Sequence, residues 1–422
     1  METATNSSVR NKLFLMMVLE IFIWGAWLPK LYSYMTLLKF EEGQKSLVFS
    51  IFGIASILGI FFSNQFADRN FAAEKFLAFS HVVGGLALLA VSTQQDFWPF
   101  FICFLLYGIF YVPTISVANS LAFAHLKNPA KEFGFVRMGG TIGWIVASWP
   151  FIFLLVGDKA ADPSYVKWIF VVAAIGSFVM AAFSMTLPHT PPRKDVEGVD
   201  KLAWVRSMKL LAVPSTLLLF IVTFIDAVIH NGYFVLSDSY LTDRVKIAGN
   251  LSMLVMSLGQ MAEIFTMLIL GTVLAKLGWK WTMIIGILGH AARFLIFAFF
   301  PDVQPLIIAV QLLHGICYAF FFATVYIFVD AVFPADVKTS AQGLFNMLIL
   351  GVGQVAASFL FTALKDHYSI KDPVTQKVTE IDWQTLFLVP AGMAFVAVVL
   401  MALFFKPPTE RPEEVGAAAA PH

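Results

Sequence analysis

The sequence predicts an all-α polytopic membrane protein with about twelve transmembrane helices. Three observations support this fold class. Of the 422 residues, 59% are hydrophobic and 13% are charged, whereas about 25% are charged in an average soluble domain. Apolar runs of ~20 residues, long enough to cross the hydrocarbon core, recur along the chain. A polar segment near the midpoint divides these runs into two sets of six.

Each apolar run begins and ends where charged residues, Gly or Pro interrupt it. The first run has the hydropathy of a signal peptide, but no small-residue cleavage site follows it and another span begins soon after. We therefore interpret it as the first transmembrane helix. The predicted spans are 13–36, 46–66, 76–93, 98–123, 137–156, 167–187, 211–236, 249–275, 281–299, 304–329, 341–364 and 385–405.

The longest polar segment, PHTPPRKDVEGVDKLAWVRSMK, separates the sixth span from the seventh. Six spans on each side predict two parallel six-helix repeats, the organisation of major facilitator transporters, in which substrate binds near the membrane midplane between the halves. We expect the low-complexity C-terminal tail to be disordered. The predicted boundaries are 1–187 for the N-terminal half, 188–210 for a cytoplasmic linker, 211–406 for the C-terminal half and 407–422 for the tail.

Two loops at equivalent positions in the halves support the repeat. NQFADRNFAAEK follows the second span and GTVLAKLGWK follows the eighth, and each keeps part of the Gly-x-Leu-Ala-Asp-Arg-x-Gly-Arg-Lys loop signature of major facilitators. Asp68 and Arg69 belong to the first loop. Charges at this position suit either a gating ion pair or a solvated helix cap, and we treat both residues as candidate gating residues.

The charge distribution predicts the orientation. An even number of spans places both termini on one side, and Lys and Arg are more numerous in the loops of that side. The positive-inside rule assigns it to the cytoplasm, so we expect a multi-pass protein of the cytoplasmic (inner) membrane. The net charge of +1 gives no basic face for nucleic acid.

Several function classes lack their sequence signatures. The chain has no phosphate-binding loop, no His-Glu-x-x-His motif and no Gly-x-Ser-x-Gly motif, so neither ATP hydrolysis nor a membrane hydrolase is indicated. Its two cysteines, Cys103 and Cys317, lie inside apolar spans and provide neither a disulfide framework nor a cysteine metal site. We expect no enzymatic activity, no cofactor and no bound metal, and a monomer in the lipid bilayer.

Polar side chains inside the apolar spans mark candidate functional positions, because an ionisable group at a helix centre costs about 2.5–3.5 kcal/mol on insertion scales. Glu263 lies at the centre of the eighth span, and Gln260 lies one helical turn away on the same face. Such a pair can also simply hold two helices together. We favour a functional role, since an amide alone would join helices without the cost of a charge.

Arg137 opens the fifth span in the sequence RMGGTIGW. Hydropathy leaves two interpretations open, an interfacial Arg that reaches the headgroups and a residue of the transport pathway. The three glycines that follow permit close helix approach, and Thr141 adds a hydroxyl to the same face.

Further polar residues fall in the first, seventh and tenth spans. His314 and Tyr318 share a face of the tenth span, and both need polar partners within lipid. Glu20 lies in the middle of the first span, and Asp226 lies in the outer half of the seventh.

Seven sequence blocks together resemble the nucleoside:proton symporter family of the major facilitator superfamily. They occur in the family's order, with near-family spacing, from the first span to the twelfth. The blocks are IWGAWLPKLYSYM (23–35), YVPTISVAN (111–119), RMGGTIGW (137–144), TLPHTPP (186–192), SLGQMAEIF (257–265), TSAQGLF (339–345) and IDWQT (381–385).

The resemblance implies a transporter that carries nucleosides inward with protons by alternating access. In that family, the Arg and Thr of the R-x-x-G-T block and the Gln and Glu of the S-x-x-Q-x-x-E block line the substrate cavity. These residues match Arg137, Thr141, Gln260 and Glu263.

The match departs from the family at two further pairs. Asn231 stands at a family Gln, Phe234 replaces an Asn, and His314 replaces an aromatic Tyr, whereas Tyr318 fits. These changes leave the substrate open, and another small polar solute such as a sugar or a drug remains an alternative on the same scaffold. A membrane receptor or enzyme is a third reading, but the chain has neither a signalling domain nor catalytic groups clustered at one interface.

A nucleoside presents a flat base with a polar edge and ribose hydroxyls, which suits aromatic stacking together with a few fixed polar groups. We expect Trp144 or Tyr318 to stack on the base. The amides of Gln260 and Asn231 can each donate and accept, so either suits the base edge or the ribose diol.

For proton coupling we expect Glu263 to carry the proton, with Glu20 and Asp226 as second choices. A buried carboxylate binds protons more tightly than an exposed one, and a nearby Arg weakens that binding. An element that brings Arg137 nearer to Glu263 or farther away would therefore change proton affinity between the two access states.

Overall fold

The computed structural model describes residues 5–192, 208, 210–333, 338–374 and 378–407, without the side chains of 59–69, 129–131, 210 and 338–340. The predicted gating residues Asp68 and Arg69 therefore lie outside the described side chains. Most of the predicted linker and nearly all of the predicted tail also lie outside the described residues.

Twelve helical segments follow one another along the described chain. They are α1 (Ser7–Leu37), α2 (Glu42–Asn70), α3 (Ala73–Thr93), α4 (Phe97–His125), α5 (Pro129–Ala147), α6 (Trp168–Ser184), α7 (Pro214–Ser239), α8 (252–277), α9 (279–299), α10 (Gln304–Val332), α11 (Ala341–His367) and α12 (Trp383–Phe404).

Shorter elements complete the helices. Three short turns, Trp149–Leu154, Gly157–Ala161 and Pro163–Val166, connect α5 to α6, and Leu210–Ala212 precedes α7. Wider π-helical turns occur at the end of α7, inside α10 and inside α11, a feature common at functional positions of helices. These turns are Tyr240–Arg244, Tyr318–Ala323 and Met347–Val352.

The all-α fold class is confirmed. Nine described helices are long and apolar enough to cross a membrane. One of them, Ser252–Phe299, has 48 residues and contains the eighth and ninth predicted spans, which meet at Gly278 with φ 70° and ψ 176°. These nine helices cover ten of the twelve predicted spans, because Ser252–Phe299 contains two of them. The helices α2 and α5 cover the remaining two spans.

Two details differ from the predicted elements. The fifth helix ends at Ala147 rather than near 156, because Pro150 in the next turn has no N–H to continue the hydrogen-bond ladder. A small antiparallel hairpin, β1 (Ser369–Lys371) and β2 (Val378–Ile381), lies between α11 and α12. Strands this short leave no hydrophobic alternation that could be recognised in the sequence.

The close contacts between the first six and the last six helices include those of α2 with α11 and of α1 with α7. In the contact between α2 and α11, a Cβ on Gly53 would lie 2.5 Å from the Gly351 carbonyl oxygen. Ser46 and Thr362 hydrogen-bond across the same contact. The two backbones therefore approach as closely as small residues allow, as is typical of helix interfaces in membranes.

The second contact joins α1 to α7 at the end opposite the chain termini. Lys30 Nζ lies 2.9 Å from Asp238 Oδ1, and both side chains are at most 2% exposed. The hydroxyls of Ser33 and Ser252 donate to the same carboxylate at 2.5 Å each. We call these four residues the far-end network. It seals this end between the helix sets, because Asp238 receives donors from α1 and α8 together.

Candidate functional site

A cavity lies between α1, α2 and α4 on one side and α7 and α11 on the other. Most of its wall is aromatic or aliphatic, and Ser56, Asn231 and Gln354 supply polar groups. A largely apolar wall with a few polar groups is typical of small-molecule sites. The position between the two helix sets is where a two-repeat transporter holds its substrate.

Aromatic side chains form a continuous surface beside this cavity. The Trp24 ring stacks on Phe52 at 5.4 Å between centroids and meets Trp144 edge-on at 5.6 Å. Trp144 in turn contacts Phe234 of α7 at 5.5 Å. The surface therefore reaches from α1 and α2 through α5 to α7, and it offers π-faces to a planar ligand.

Asn231 lines the cavity, and the oxygen of its side-chain amide is available to a ligand. Its Nδ2 donates to the Ala227 carbonyl at 2.8 Å and to the Ile349 carbonyl at 3.0 Å. Since an amide nitrogen has two hydrogens, both are used by the backbone. The Oδ1 atom is thus the group that can bind a ligand, and it can only accept.

Arg137 is positioned by the glycines of α5. A Cβ on Gly143 would lie 2.1 Å from the Val18 carbonyl, so α5 packs directly on α1. A Cβ on Gly140 would lie 2.4 Å from Arg137 Nη1, so the guanidinium lies over that glycine. Arg137 lies near Glu263 and the Tyr318 hydroxyl, across the boundary between the helix sets. This placement favours a pathway role over an interfacial one.

Glu263 and Gln260 are held in place by close packing of α8 on α10. A Cβ on Gly315 would lie 2.3 Å from the Glu263 backbone nitrogen. Gln260 is 6% exposed, and its Oε1 atom has no hydrogen-bond partner among the described residues. Buried polar atoms are usually bonded, so Gln260 offers an acceptor that the protein itself does not use. Thr141 is half-buried on α5.

The two predicted residues of α10, Tyr318 and His314, have different neighbours. Tyr318 faces Arg137. His314 is 2% exposed, and its Nδ1 lies 3.0 Å from Nη1 of Arg293, a buried residue of α9. Its ring stacks on His230 at 4.8 Å. The polar edge of His314 is therefore directed into the last six helices.

Glu20 is fully buried and well bonded. Its carboxylate lies 2.9 Å from His81 Nε2 and accepts from the Thr114 hydroxyl at 2.6 Å. Tyr111 donates to its backbone carbonyl at 2.6 Å. A carboxylate held by α3 and α4 in this way has the bonding of a structural residue. Asp226, the other second choice for proton coupling, is fully buried on α7, and neither of its carboxylate oxygens has a hydrogen-bond partner among the described residues.

Sequence reasoning missed three residues of this region. Trp24 and Phe52 were not among the predicted binding residues because aromatic side chains are common in lipid-facing helices. Gln354 lines the cavity from α11. Its signal, an amide inside an apolar span, is the same one that identified Gln260.

Three comparisons relate the chain to known proteins. Residues 7–410 match a family model described as nucleoside H⁺ symporter. The chain is 30% identical over 410 residues to the YegT protein of Escherichia coli (strain K12), with 94% of this chain and 93% of that one covered. It is 27% identical over 432 residues to the xanthosine permease of the same organism, with 98% and 100% covered.

Solved structures show the same fold. A crystal structure of the nucleoside transporter NupG superposes with a TM-score of 0.84 at 24% identity, covering 94% of this chain and 100% of that one. A D-xylose-proton symporter superposes with a TM-score of 0.71 at 14% identity, covering 95% and 99%.

Proposed function

This chain belongs to the nucleoside H⁺ symporter family, and we propose that it carries nucleosides across the membrane together with protons, by alternating access. The observation that carries this proposal is the family match over residues 7–410, which includes every helix that contributes to the candidate site. The proposed function is transport, in which the substrate crosses the membrane chemically unchanged.

The candidate site has the chemistry that a nucleoside requires. The aromatic surface of Trp24, Trp144, Phe52 and Phe234 can stack on a base, and such stacking is worth about 1–3 kcal/mol per base in nucleic-acid proteins. The side-chain amide oxygens of Asn231 and Gln260 are acceptors, and neither has a hydrogen-bond donor among the described residues. Base N–H groups and ribose hydroxyls are the matching donors.

We assign Gln260, Arg137 and Thr141 to substrate binding, together with Tyr318. The Oε1 atom of Gln260, which has no hydrogen-bond partner among the described residues, supports this role, since a nucleoside N–H or O–H group could donate to it. Glu263 is proposed as the proton carrier because Arg137, on the other helix set, acts on it. Relative motion of the two sets would then change proton affinity.

The far-end network defines the conformation. Its buried Lys30–Asp238 pair closes the end opposite the termini. We propose that both termini lie in the cytoplasm, since Lys and Arg are in excess on that side, and that the protein resides in the inner membrane as a monomer. The closed end is then the outer one, and the described conformation faces inward.

An uptake assay tests the function. Cells that lack nucleoside transporters and express this protein should accumulate radiolabelled uridine or adenosine, and a protonophore should abolish the accumulation because it removes the proton gradient. Competition by uridine, adenosine and xanthosine identifies the substrate class. Uptake that no nucleoside inhibits would assign the protein to another solute such as a sugar.

Replacement of Gln260 by Leu tests the substrate contact. A hydrogen bond is worth about 0.5–1.5 kcal/mol net, so we expect KM for the transported nucleoside to rise roughly 2- to 13-fold. The melting temperature should stay unchanged or rise, because a buried unbonded atom is removed. Both quantities are measured on purified protein and in transport assays.

Gln311 provides the matched control. It is also a buried glutamine, but its Oε1 accepts from Tyr233 at 2.7 Å and its Nε2 donates to the Ile307 carbonyl at 3.0 Å. Gln311→Leu should lower the melting temperature and leave KM near its original value. A Gln260→Leu protein that melts earlier with unchanged KM would show that Gln260 only joins helices.

A further inference from the structure

A second group of ionisable side chains lies buried behind Tyr318, between α7, α9 and α10. Asp226, His290 and Arg293 are 0% exposed, His314 is 2% exposed and His230 is 9% exposed. We call these five residues the inner cluster. Buried charges need partners, and five such groups in one place require an explanation that packing alone does not give.

Arg293 fixes the protonation pattern of two histidines. Its Nη1 lies 3.0 Å from His314 Nδ1, and its Nη2 lies 3.0 Å from His290 Nδ1. A guanidinium only donates and keeps its charge, so both Nδ1 atoms must be acceptors. Each neutral imidazole therefore carries its hydrogen on Nε2. The face of the guanidinium rests on the Tyr233 ring at 4.0 Å.

This pattern directs His290 at Asp226. With its hydrogen on Nε2, the imidazole points a donor toward Asp226 Oδ2, but the separation is 3.5 Å. That distance exceeds the usual 2.7–3.2 Å of an N–H···O bond. Neither carboxylate oxygen of Asp226 has a hydrogen-bond partner among the described residues. The cluster thus contains a fully buried carboxylate whose bonding capacity is free.

The first six helices contain a counterpart of this carboxylate–imidazole pair. Glu20 on α1 and His81 on α3 occupy the helices that correspond to α7 and α9 in a two-repeat fold. There the carboxylate is 2.9 Å from the imidazole and also accepts from Thr114. The carboxylate–imidazole pair is therefore hydrogen-bonded in the first six helices. In the last six helices it is not hydrogen-bonded, and Arg293 donates to the imidazole there.

We propose that the inner cluster is a second proton-binding site, and that Asp226 is the group that takes up and releases the proton during transport. This inference rests on the proposed function and adds to the site at Glu263. The proton comes from water in the cavity, converts the Asp226 carboxylate to a carboxylic acid, and returns to water when the opposite end opens.

Among the titratable groups around this site, Asp226 is the one suited to bind the transported proton. While Arg293 donates to them, the Nδ1 atoms of His290 and His314 cannot bind a proton. His230 Nδ1 has no described partner, but a charge there would lie beside Arg293. The remaining titratable neighbours, Tyr233, Cys317 and Tyr318, are a thiol and two phenols, which are protonated at neutral pH by their ordinary pKa values.

Protonation of Asp226 would be linked to conformation by charge. With Asp226 ionised, its charge balances that of Arg293; after protonation, Arg293 is left uncompensated in a site without exposure. An unpaired buried charge is strongly disfavoured, so the protonated cluster favours an arrangement in which Arg293 gains access to solvent or to another partner. His230 connects the cluster to the transport pathway, since its ring contacts Phe234 at 5.7 Å and Tyr318 at 6.1 Å.

Infrared spectroscopy of the protein in liposomes tests proton binding without any substrate. As pH is lowered, a C=O absorption of a buried protonated carboxyl should appear in the wild-type protein. This component should be missing in Asp226→Asn and present in Glu20→Gln. His290→Gln keeps a donor and an acceptor in place, so it should fold and should retain the absorption with a changed pH midpoint. An absorption that is identical in wild type, Asp226→Asn and His290→Gln would overturn the proposal.

Transport by the same liposomes tests coupling. Under an inward gradient of about one pH unit, each coupled proton supports about tenfold accumulation of a neutral substrate. We expect Asp226→Asn to lower uridine accumulation about tenfold, while uridine exchange without a gradient continues. Unchanged accumulation by this variant would refute a coupled proton at Asp226. If wild-type liposomes fail to transport any nucleoside, the proposed function is refuted, and the infrared result still decides whether Asp226 binds a proton.

Discussion

Replacement of Glu263 by Gln is expected to lower proton-driven nucleoside accumulation at least about tenfold under a gradient of about one pH unit, because one coupled proton supports about that ratio. Gln cannot bind and release a proton, so the variant loses the one proton that Glu263 couples to the transport cycle. Its shape and its neutral form resemble a protonated Glu, and nucleoside exchange should continue. Accumulation and exchange are measured with radiolabelled uridine in liposomes.

Glu20→Gln is the control for this experiment. Glu20, like Glu263, is a carboxylate inside an apolar span, but it is fully buried and bonded to His81 and Thr114, so its replacement should lower the melting temperature while the folded protein still accumulates nucleoside. Arg137 gives a second comparison, because Arg137→Gln removes the charge that acts on Glu263 and should change the pH dependence of uptake. A Glu263→Gln protein that concentrates uridine as strongly as the wild type would show that Glu263 carries no coupled proton.

Asp238→Asn is expected to open the end of the protein opposite the termini. The change leaves the ammonium of Lys30, which is 2% exposed, without its buried partner, and removal of one member of a buried ion pair costs about 3–5 kcal/mol. A cost of that size shifts a two-state equilibrium by about 10²- to 10³-fold or more. Pulsed electron spin resonance between labels at the exposed positions Asp158 and Lys246 should record longer distances.

The exposed pair of Arg244 and Asp302 is the matched control, at the same end of the helices. Its atoms are 2.5 Å apart, but the Asp302 side chain is 78% exposed, and exposed pairs contribute about 0–1 kcal/mol. Asp302→Asn should leave the distance distribution unchanged. Replacement of both Lys30 and Asp238 by Ala removes the unpaired charge and should restore part of the closed population. Equal distances in wild type and Asp238→Asn would show that this network does not hold the closed state.

The Glu263 and Asp238 variants alter contacts at two separate places between the helix sets. Arg137 and Glu263 lie on opposite sides of the boundary between the helix sets at the candidate site, whereas Lys30 and Asp238 join the same sets at the sealed end. Alternating access requires that contacts at one end form as those at the other break. Proton binding at Glu263 would weaken its interaction with Arg137 and so alter the balance between the two arrangements.

Much of the fold could be predicted because the membrane imposes a simple rule. A span must be a helix of ~20 apolar residues, since no water is present to satisfy open backbone groups. Twelve such runs were therefore recognisable without any knowledge of packing. The break in α5 and the hairpin between α11 and α12 were not, because both depend on local hydrogen bonds rather than on hydropathy.

The candidate site was predictable only in part. Glu263, Gln260 and Asp226 are identifiable because polar groups are costly in lipid, and the same rule applied to Gln354 would have found it. The rule cannot separate Glu20 from Asp226, since both are single carboxylates inside apolar spans. Their difference lies in partners from other helices: His81 and Thr114 complete the bonding of Glu20.

By itself, the sequence determined the number of spans, the two-repeat organisation and the identity of the polar residues, because each follows from local composition and spacing. The tertiary structure alone decided which of those residues meet. The Lys30–Asp238 pair joins residues 208 positions apart, and the orientation of His290 toward Asp226 depends on Arg293. Such contacts depend on how helices cross and how closely their glycines let them approach, which no single segment of sequence records.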